Sequence, residues 1–340
     1  MKLWQAVLIV VIIIITTVAI VYLNKENELI KASTRKEIVN NVVKEGFVTS
    51  VNGSYPLREF IVKSSYNSAI KDGIASKEQL TELLNKGVRA FDFEIYTRDG
   101  QEYLSYSLDQ EHRTLETDLT LKVADAFSHI SSKAFSEPNS GPLFLHMRVK
   151  TPSSATFQRL TDNLQNAFGS RLLDKGTIVN GSTFYNNLID KVVIIHDLTS
   201  GNKPENFPCP NEDKCLQYTD LVNLYSGTID LPLYSQLEYT ESMGLSKKVS
   251  VDMATGKTDI GTYFMVAPSS FESKCVNRQS CGATTLMETM KTKPCQIILM
   301  RYTDDNKELE EYEEIFKKAG SSYCSVAQYL AMLNEKNVEI

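Results

Sequence analysis

The sequence predicts an α/β protein whose parallel strands form a TIM-type barrel, preceded by one N-terminal transmembrane helix. Strand-like and helix-like segments alternate along the chain, which indicates a parallel sheet with helical crossovers. The alternating region is about 290 residues long, the size of a (β/α)8 unit. An uncharged apolar run from Trp4 to Leu23 is long enough to span a bilayer.

The predicted elements follow from the residue patterns. Strands are predicted where apolar and β-branched residues run together, and helices where leucines recur at helical spacing, in one case after a capping serine. The predicted strands are 59–64, 88–96, 103–107, 143–149, 191–196, 221–225, 263–266 and 296–301. The predicted helices are 76–86, 119–131, 153–168, 309–319 and 325–333. In barrels of this type the functional groups lie at the carboxyl ends of the strands, so we expect the site there.

The apolar run near the N-terminus is predicted to be a retained membrane anchor, with Trp4–Leu23 in the lipid bilayer. No charged residue lies between Lys2 and Lys25. A cleaved signal peptide is the alternative, but its apolar region would be shorter, about 7–15 residues. The predicted divisions of the chain are an anchor at 1–24, a stalk at 25–50 and a folded domain at 51–340.

Two features disagree about the side of the membrane on which the domain lies. The stalk carries more lysine and arginine than the short N-terminal flank, which would place the domain in the cytoplasm. The six cysteines and the glycosylation sequons that begin at Asn52 and Asn180 favour an oxidising compartment instead. We follow the cysteines and expect a single-pass membrane protein with a luminal or extracytoplasmic domain.

All six cysteines are candidates for disulfide bonds. The segments Cys209–Cys215 and Cys275–Cys281 each enclose a polar loop that is wider than the usual spacing of zinc ligands. We therefore expect loops closed by disulfides, with Cys295 and Cys324 as the other two candidates. No cofactor is expected, and the net charge of -6 gives no reason to expect nucleic-acid binding.

Four blocks resemble, in order, those of phosphatidylinositol-specific phospholipase C. Phe60–Ser68 resembles the opening pattern F-I-x-S-S-H-N-T, and Gly87–Glu94 resembles G-h-R-x-h-D-h-R or G-x-R-x-h-E-h-D. Pro142–Arg148 resembles P-h-h-L-x-h-E, and Gln296–Thr303 is similar to the block that ends the barrel. The resemblance covers about residues 55–335 and implies a PLC-like phosphodiesterase fold. It also implies phosphodiester cleavage by the inositol 2-hydroxyl, with two histidines as base and acid and a calcium ion or an arginine at the phosphate.

The family's catalytic groups are absent from the matching positions. Tyr66 stands at the general-base histidine, and a phenol with an ordinary pKa near 10 is a poor base at neutral pH. Tyr106 or Ser107 stands at the second histidine, and Arg148 stands at a calcium-binding glutamate, where it would repel a cation. If calcium bound, the resemblance implies that its ligands would be Asn67, Asp92 and Glu94.

The sequence therefore predicts a catalytically inactive, membrane-anchored barrel that acts as a binding or structural module. A virion membrane component is one setting that would suit it. The alternatives are a phosphoric diester hydrolase with rewired groups and a disulfide-stabilised protein-interaction domain. His146 and Arg148 are the candidate ligand-binding residues, for an anionic headgroup, although an internal network of ion pairs is the simpler expectation. The vestigial or rewired site comprises Tyr66, Asn67, Asp92, Glu94, Tyr106, His146 and Arg148.

Overall fold

Short parallel strands and the helices that connect them make up the described part of the chain. The computed structural model describes residues 55–108, 114–136, 141–209, 215–243, 246–252, 255–268, 286–303 and 307–336. The predicted anchor and stalk lie outside these ranges. Within them, no helix combines the length and the apolar character needed to cross a membrane.

The elements are numbered along the chain. The strands are β1 (Phe60–Val62), β2 (Ser64–Ser65), β3 (Ile70–Lys71), β4 (Ile74–Ala75), β5 (Ala90–Arg98), β6 (Gln101–Leu104), β7 (Leu143–Val149), β8 (Val192–Asp197), β9 (Leu224–Ser226), β10 (Leu233–Ser235), β11 (Met265–Ala267), β12 (Ile297–Ile298) and β13 (Tyr323–Ser325). The α-helices are α1 (Lys77–Asn85), α2 (Val123–Ala134), α3 (Ser154–Phe168), α4 (Gln236–Met243), α5 (Leu286–Met290), α6 (Lys307–Ala319) and α7 (Val326–Lys336). Short 3-10 helices cover Leu57–Glu59, Gly169–Arg171, Tyr185–Leu188, Pro204–Asn206 and Tyr218–Asp220.

The parallel strands follow one another in sequence order around a curled sheet. Strands β2, β5, β7, β8 and β9 are hydrogen-bonded in that order, and β10, β11, β12 and β1 form a second run. The two runs meet because β1 and β2 are one segment interrupted at Lys63. A parallel bridge from Ser65 to Met300 continues the contact beyond β12. The predicted α/β class is confirmed, and the curled parallel sheet agrees with a TIM-type barrel.

Two connections depart from regular alternation of strands and helices. Between β8 and β9 the described residues form 3-10 turns and no α-helix, and residues 227–232 join β9 to β10 without a helix. Among the described residues no ladder joins β9 to β10. Helix α4 was not predicted, because its residues are only weakly amphipathic and Tyr239 is its one buried residue.

Helices α1 and α3 begin where the sequence predicted, whereas α2 begins at Val123 and not at Leu119. The Ser76 and Ser153 side chains accept hydrogen bonds from the backbone N–H groups of Gln79 and Thr156, so each serine caps its helix. Helices α2 and α3 then pack against the outer face of the sheet through fully buried apolar side chains. This packing fixes β5 and β7, the two strands that carry the candidate site.

The cysteines form fewer disulfides than expected. Cys209 and Cys215 are joined, with their Cα atoms 6.6 Å apart, while Cys275 and Cys281 lie outside the described residues. The expectation for Cys295 and Cys324 is wrong, because both are buried free thiols. Strand β1 pairs with β13 on one side and with β12 on the other. Two strand spacings of about 4.8 Å separate the thiols more widely than a disulfide allows.

Candidate functional site at the carboxyl ends of β5 and β7

Alternation along two adjacent strands brings the predicted polar residues together. Asp92, Glu94 and Tyr96 share one face of β5 because they are two residues apart. The parallel register places Asp92 beside His146 and Glu94 beside Arg148 on β7. All five side chains are buried, and Asp92 is 0% exposed. A buried cluster of this kind requires internal partners for each charge.

The Arg148 guanidinium is the centre of the cluster. Its Nε and Nη2 donate to the two carboxylate oxygens of Asp92 at 2.9 and 2.8 Å. Its Nη1 donates to Glu94 Oε2 at 2.6 Å, and Nη2 also donates to Asn67 Oδ1 at 2.5 Å. Bidentate, charge-assisted hydrogen bonds of this type are strong and fix the plane of the guanidinium. Arg148 therefore binds three of the predicted site residues at once.

A tight turn after β2 supplies the third side of the cluster. Asn67 has a φ of 42°, which asparagine tolerates better than most residues, and its backbone N–H donates to Asp92 Oδ2 at 2.9 Å. The turn places the ring centroid of Tyr66 at 4.8 Å from Arg148 Cζ and 5.6 Å from Arg301 Cζ. Burial raises the pKa of the Tyr66 phenol, although Arg148 opposes this. The phenol therefore stays protonated at neutral pH and cannot act as a general base.

The charges of the cluster hold each other in their ionised forms. Burial penalises the charged form of Asp92, but Arg148 and then His146 outweigh burial and keep the pKa of this carboxyl well below its ordinary range. Arg148 occupies the oxygens of Asn67, Asp92 and Glu94, which are the atoms that a calcium ion would need. Within the described residues no group of three acidic, histidine or cysteine side chains could hold a metal ion. The candidate calcium ligands therefore do not fit a calcium ion in this arrangement.

The His146 ring forms hydrogen bonds on both sides, which connect Asp92 on β5 to Ser226 on β9. Its Nδ1 lies 2.7 Å from Asp92 Oδ1, and its Nε2 lies 2.8 Å from Ser226 Oγ. Because a carboxylate only accepts, we assign the ring proton to Nδ1, so that Nε2 accepts from the Ser226 hydroxyl. The order of groups is that of a Ser-His-Asp triad. Ser226 is 0% exposed, however, and Asp92 is shared with Arg148, so no substrate can reach the hydroxyl in this conformation.

Glu94 is held by neighbours on both sides. The Tyr96 hydroxyl and the Ser107 backbone N–H both donate to Glu94 Oε1. Tyr106 forms no hydrogen bond to the cluster among the described residues, and burial raises the pKa of its phenol. The structure thus leaves Tyr106 apart and brings together the other predicted residues, namely Tyr66, Asn67, Asp92, Glu94, His146 and Arg148. Their role in binding or catalysis stays a prediction.

The second buried histidine lies on the opposite face of the sheet. His196 is in register with Met147, the neighbour of His146, and so faces the helices. His196 Nε2 donates to the Asn202 carbonyl at 3.0 Å, and Nδ1 lies 3.2 Å from the Tyr218 hydroxyl. The next residue, Asp197, accepts a hydrogen bond from the backbone N–H two residues on. His196 therefore faces away from the cluster, whereas Asp197 ends the strand in register with Ser226.

The stability of the domain should fall in mild acid because of His196. Burial lowers the pKa of its imidazole below the usual value, against the opposing effects of the Asn202 carbonyl and Asp197. As the pH falls below about 6.5, the unfolded chain binds a proton that the folded chain does not. The contribution is thus present above this pH and is lost as the pH falls toward the folded-state pKa.

Urea unfolding at several pH values between about 7 and 5 measures this effect. The free energy of unfolding should fall less steeply in His196→Gln than in the wild type. His129→Gln is the comparison, because burial also lowers the pKa of this less buried ring, so its removal should change the slope less than His196→Gln does. Equal pH slopes in the wild type and His196→Gln would contradict the expectation.

Several residues of the cluster were not predicted. Tyr96 follows Asp92 and Glu94 at the same strand alternation, so the sequence carried this signal. Ser226 lies one residue beyond the predicted strand 221–225, so it was not considered as a site residue. Lys150 was not singled out, although it follows β7 directly and is electrostatically coupled to Arg148.

Comparison with known proteins identifies the fold. No protein-family model matches the sequence, and no curated protein matches it. Among solved structures, PLC21 from L. pealei matches with a TM-score of 0.56 and 14% identity over 81% of this chain. PLC21 from S. officinalis matches with a TM-score of 0.57 and 15% identity over 83% of this chain. The chain spans 38% of the length of each.

A bacterial structure is also similar. It is a calcium-dependent phosphoinositol-specific phospholipase C from Pseudomonas sp., with a TM-score of 0.47 and 8% identity over 74% of this chain and 91% of that one. The predicted resemblance is therefore confirmed at the level of the fold, and the chain has the fold of the PLC-like phosphodiesterases.

Proposed function

We propose that this chain is a membrane-held PLC-like barrel that binds an anionic headgroup without cleaving it. The observation that carries the proposal is the Arg148 guanidinium, which binds Asn67, Asp92 and Glu94 together. Calcium-dependent members of the resembled family bind a calcium ion that can dissociate, whereas the positive charge of Arg148 is part of the chain. The cluster therefore stabilises the barrel from within and leaves little freedom for chemistry.

The absence of both proton-transfer groups supports a loss of catalysis. Tyr66 replaces the expected general base, and its pKa is raised by burial. Tyr106 or Ser107 stands at the position of the expected acid, and neither side chain is an acid of suitable pKa for this role. General acid and general base catalysis each contribute typically about 10²–10⁴-fold, so the loss of both removes most of the family's mechanism.

Two cations beside the cluster support binding of an anion. Lys150 and Arg301 form no ion pair within the described residues, and Arg301 Nε is buried without a hydrogen-bond partner. Burial and the neighbouring Arg148 lower the pKa of Lys150, although Glu94 and Asp197 oppose this. A bound anion would relieve the cost of burying both groups. Headgroup phosphates have the charge and acceptor geometry for this role.

The binding proposal is tested with the full chain in detergent micelles, using a soluble inositol phosphate as the probe in calorimetric titration. We expect Lys150→Gln and Arg301→Gln each to weaken binding about tenfold, which corresponds to about 1.4 kcal/mol. Lys317→Gln is the matched control, because Lys317 is an exposed lysine on α6, away from the cluster. Affinity that both site variants leave unchanged would contradict the proposal. A complete lack of binding would favour the interaction-domain alternative instead.

The rewired hydrolase is the second candidate, and the row from Ser226 through His146 to Asp92 is the observation that favours it. Diester hydrolysis by the full chain should be measured with calcium and with a chelator. We expect no turnover in either condition. Turnover that disappears in His146→Ala and persists in the control His129→Ala would establish the hydrolase instead.

A further inference from the structure

We propose that Asn180 is the acceptor of an N-linked glycan on the face of the domain opposite the candidate site. The sequon Asn180-Gly181-Ser182 precedes β8 and pairs with the chain that leads into β1. It therefore lies at the amino ends of the strands, whereas Asn67 follows the end of β2 and Arg148 lies near the end of β7. A glycan here would leave the candidate site uncovered.

The local geometry leaves the reactive atom of Asn180 free. Its Oδ1 accepts from the Ser182 backbone N–H at 2.9 Å, and its own backbone N–H donates to Thr183 Oγ1 at 2.9 Å. The carboxamide nitrogen, Nδ2, has no acceptor among the described residues. Ser182, the third residue of the sequon, is exposed. The asparagine thus presents Nδ2 at the surface, beside the serine that a glycosyl acceptor site needs.

Formation of the turn explains the identities of Gly181 and Ser182 but does not explain why residue 180 is asparagine. A Cβ at Gly181 would lie 2.5 Å from Tyr263 Cβ, so packing requires the glycine. Ser182 Oγ accepts a hydrogen bond from Arg58 at 2.6 Å, which gives the serine a structural role too. Aspartate at position 180 would form the same turn through its side-chain oxygen. The unpartnered nitrogen is the atom that distinguishes asparagine from aspartate here, and it is the atom that glycosylation uses.

The folded turn would also tolerate the product. Backbone hydrogen bonds from Leu57 to Thr183 and from Arg58 to Gly181, at 2.9 and 3.0 Å, hold the turn without using the Asn180 side chain. The nearby residues 174–176 are exposed, so a bulky surface group meets no packed layer. The disulfide between Cys209 and Cys215 is consistent with the oxidising compartment in which such transfer takes place.

The reaction requires a sugar donor of defined class, a lipid-pyrophosphate-linked oligosaccharide. Asn180 Nδ2 attacks the anomeric carbon of the first sugar, and the bond from that carbon to the pyrophosphate oxygen breaks. The lipid pyrophosphate leaves, and the amide proton passes to a base of the transferase. No oxidation or reduction takes place.

The proposal is tested by expressing the full chain in eukaryotic cells and treating it with a peptide N-glycosidase. Because Asn52 begins a second sequon, the variants are made in an Asn52→Gln background. This background should keep one glycan, seen as a gain in gel mobility on treatment. Asn180→Gln and, separately, Ser182→Ala should each remove that shift. Asn187→Gln, an exposed asparagine outside a sequon, should keep it.

Thiol alkylation of the same samples makes each outcome decisive. If the Asn52→Gln protein has no glycan while Cys209 and Cys215 are oxidised, the domain is in the oxidising compartment but Asn180 is not glycosylated. The proposal is then wrong. If these thiols are reduced and no glycan is present, the domain is cytoplasmic and the proposal is also wrong. A shift that survives in both Asn180→Gln and Ser182→Ala would place the glycan elsewhere and overturn the assignment.

Discussion

Replacing Arg148 with methionine is expected to lower the free energy of unfolding by about 3–5 kcal/mol, the cost of breaking a buried ion pair by removing one partner. Methionine fills much of the space of the arginine stem but cannot donate to Asp92, Glu94 or Asn67. Asp92 is fully buried, so its carboxylate would be left without its main counter-charge. Its pKa would rise, and protonation of the carboxyl group at lower pH would recover part of the lost stability, because the neutral form is less costly to bury.

Urea or guanidinium unfolding of the full chain measures this loss. Arg98→Met is the matched control, because Arg98 lies at the exposed end of β5 and forms no ion pair in the described part of the chain. The control should change stability by no more than about 0.5 kcal/mol. A loss in Arg148→Met no larger than that of the control would show that the cluster is not what holds β5 and β7 together.

Where the chain is continuous and apolar, the sequence predicted the structure closely. Strand β7 was predicted at its observed bounds, because apolar residues flank His146 and Arg148 on both sides. The same alternation predicted which side chains would share a face. The ends of short strands were harder to predict. For example, β12 comprises only Ile297–Ile298, whereas the predicted strand was 296–301. A two-residue ladder leaves no pattern that distinguishes it from the loops around it.

The sequence could not predict which hydrogen-bond and ion-pair partners each charged side chain would have. His146 and Arg148 were candidates for binding a ligand, but their donors and acceptors are used by Asp92, Glu94, Asn67 and Ser226. Ser226 belongs to β9, which is two strands away from β7, the strand of His146, so spacing along the chain does not indicate this contact. Tyr106 shows the same difficulty, because it forms no hydrogen bond to the cluster among the described residues although Ser107 beside it donates to Glu94.

The cysteines show the same difference between contacts that are local in sequence and those that depend on the fold. The Cys209–Cys215 loop was predictable because both partners lie close in sequence, and closing a short loop needs no knowledge of the fold. Cys295 and Cys324 stay apart because β1 lies between their strands. That strand is formed more than 200 residues earlier in the chain. Only the sheet topology reveals that it intervenes.

The proposed function assigns a specific role to the charge at position 148. Asp92 and Glu94 lie close to Asn67, and buried carboxylates need a positive partner, which the Arg148 guanidinium supplies. The resemblance implies a calcium-binding glutamate at this position in calcium-dependent members of the family. We therefore propose that the guanidinium stands in place of a bound cation here.

This view predicts that Arg148→Glu makes the stability of the domain depend on calcium. Without a divalent cation, three carboxylates and an amide oxygen would face each other in a buried space, and the domain should unfold at a lower denaturant concentration than Arg148→Gln. Calcium prefers oxygen ligands, so its addition should restore the loss. At a calcium concentration about 100 times the dissociation constant, the gain in the free energy of unfolding should be about 2.7 kcal/mol.

The experiment compares thermal and denaturant unfolding of three proteins with calcium and with a chelator. The wild type should show no difference, because its guanidinium already neutralises Asp92 and Glu94. Arg148→Gln should be destabilised and insensitive to calcium, because it lacks both the cation and the third carboxylate. Only Arg148→Glu should respond. If it does not, the four oxygen-bearing side chains are held too far apart to surround an ion, and the guanidinium at position 148 does not replace a bound cation. If the wild type responds as strongly, calcium binds away from this cluster, and Arg148 does not prevent metal binding by the domain.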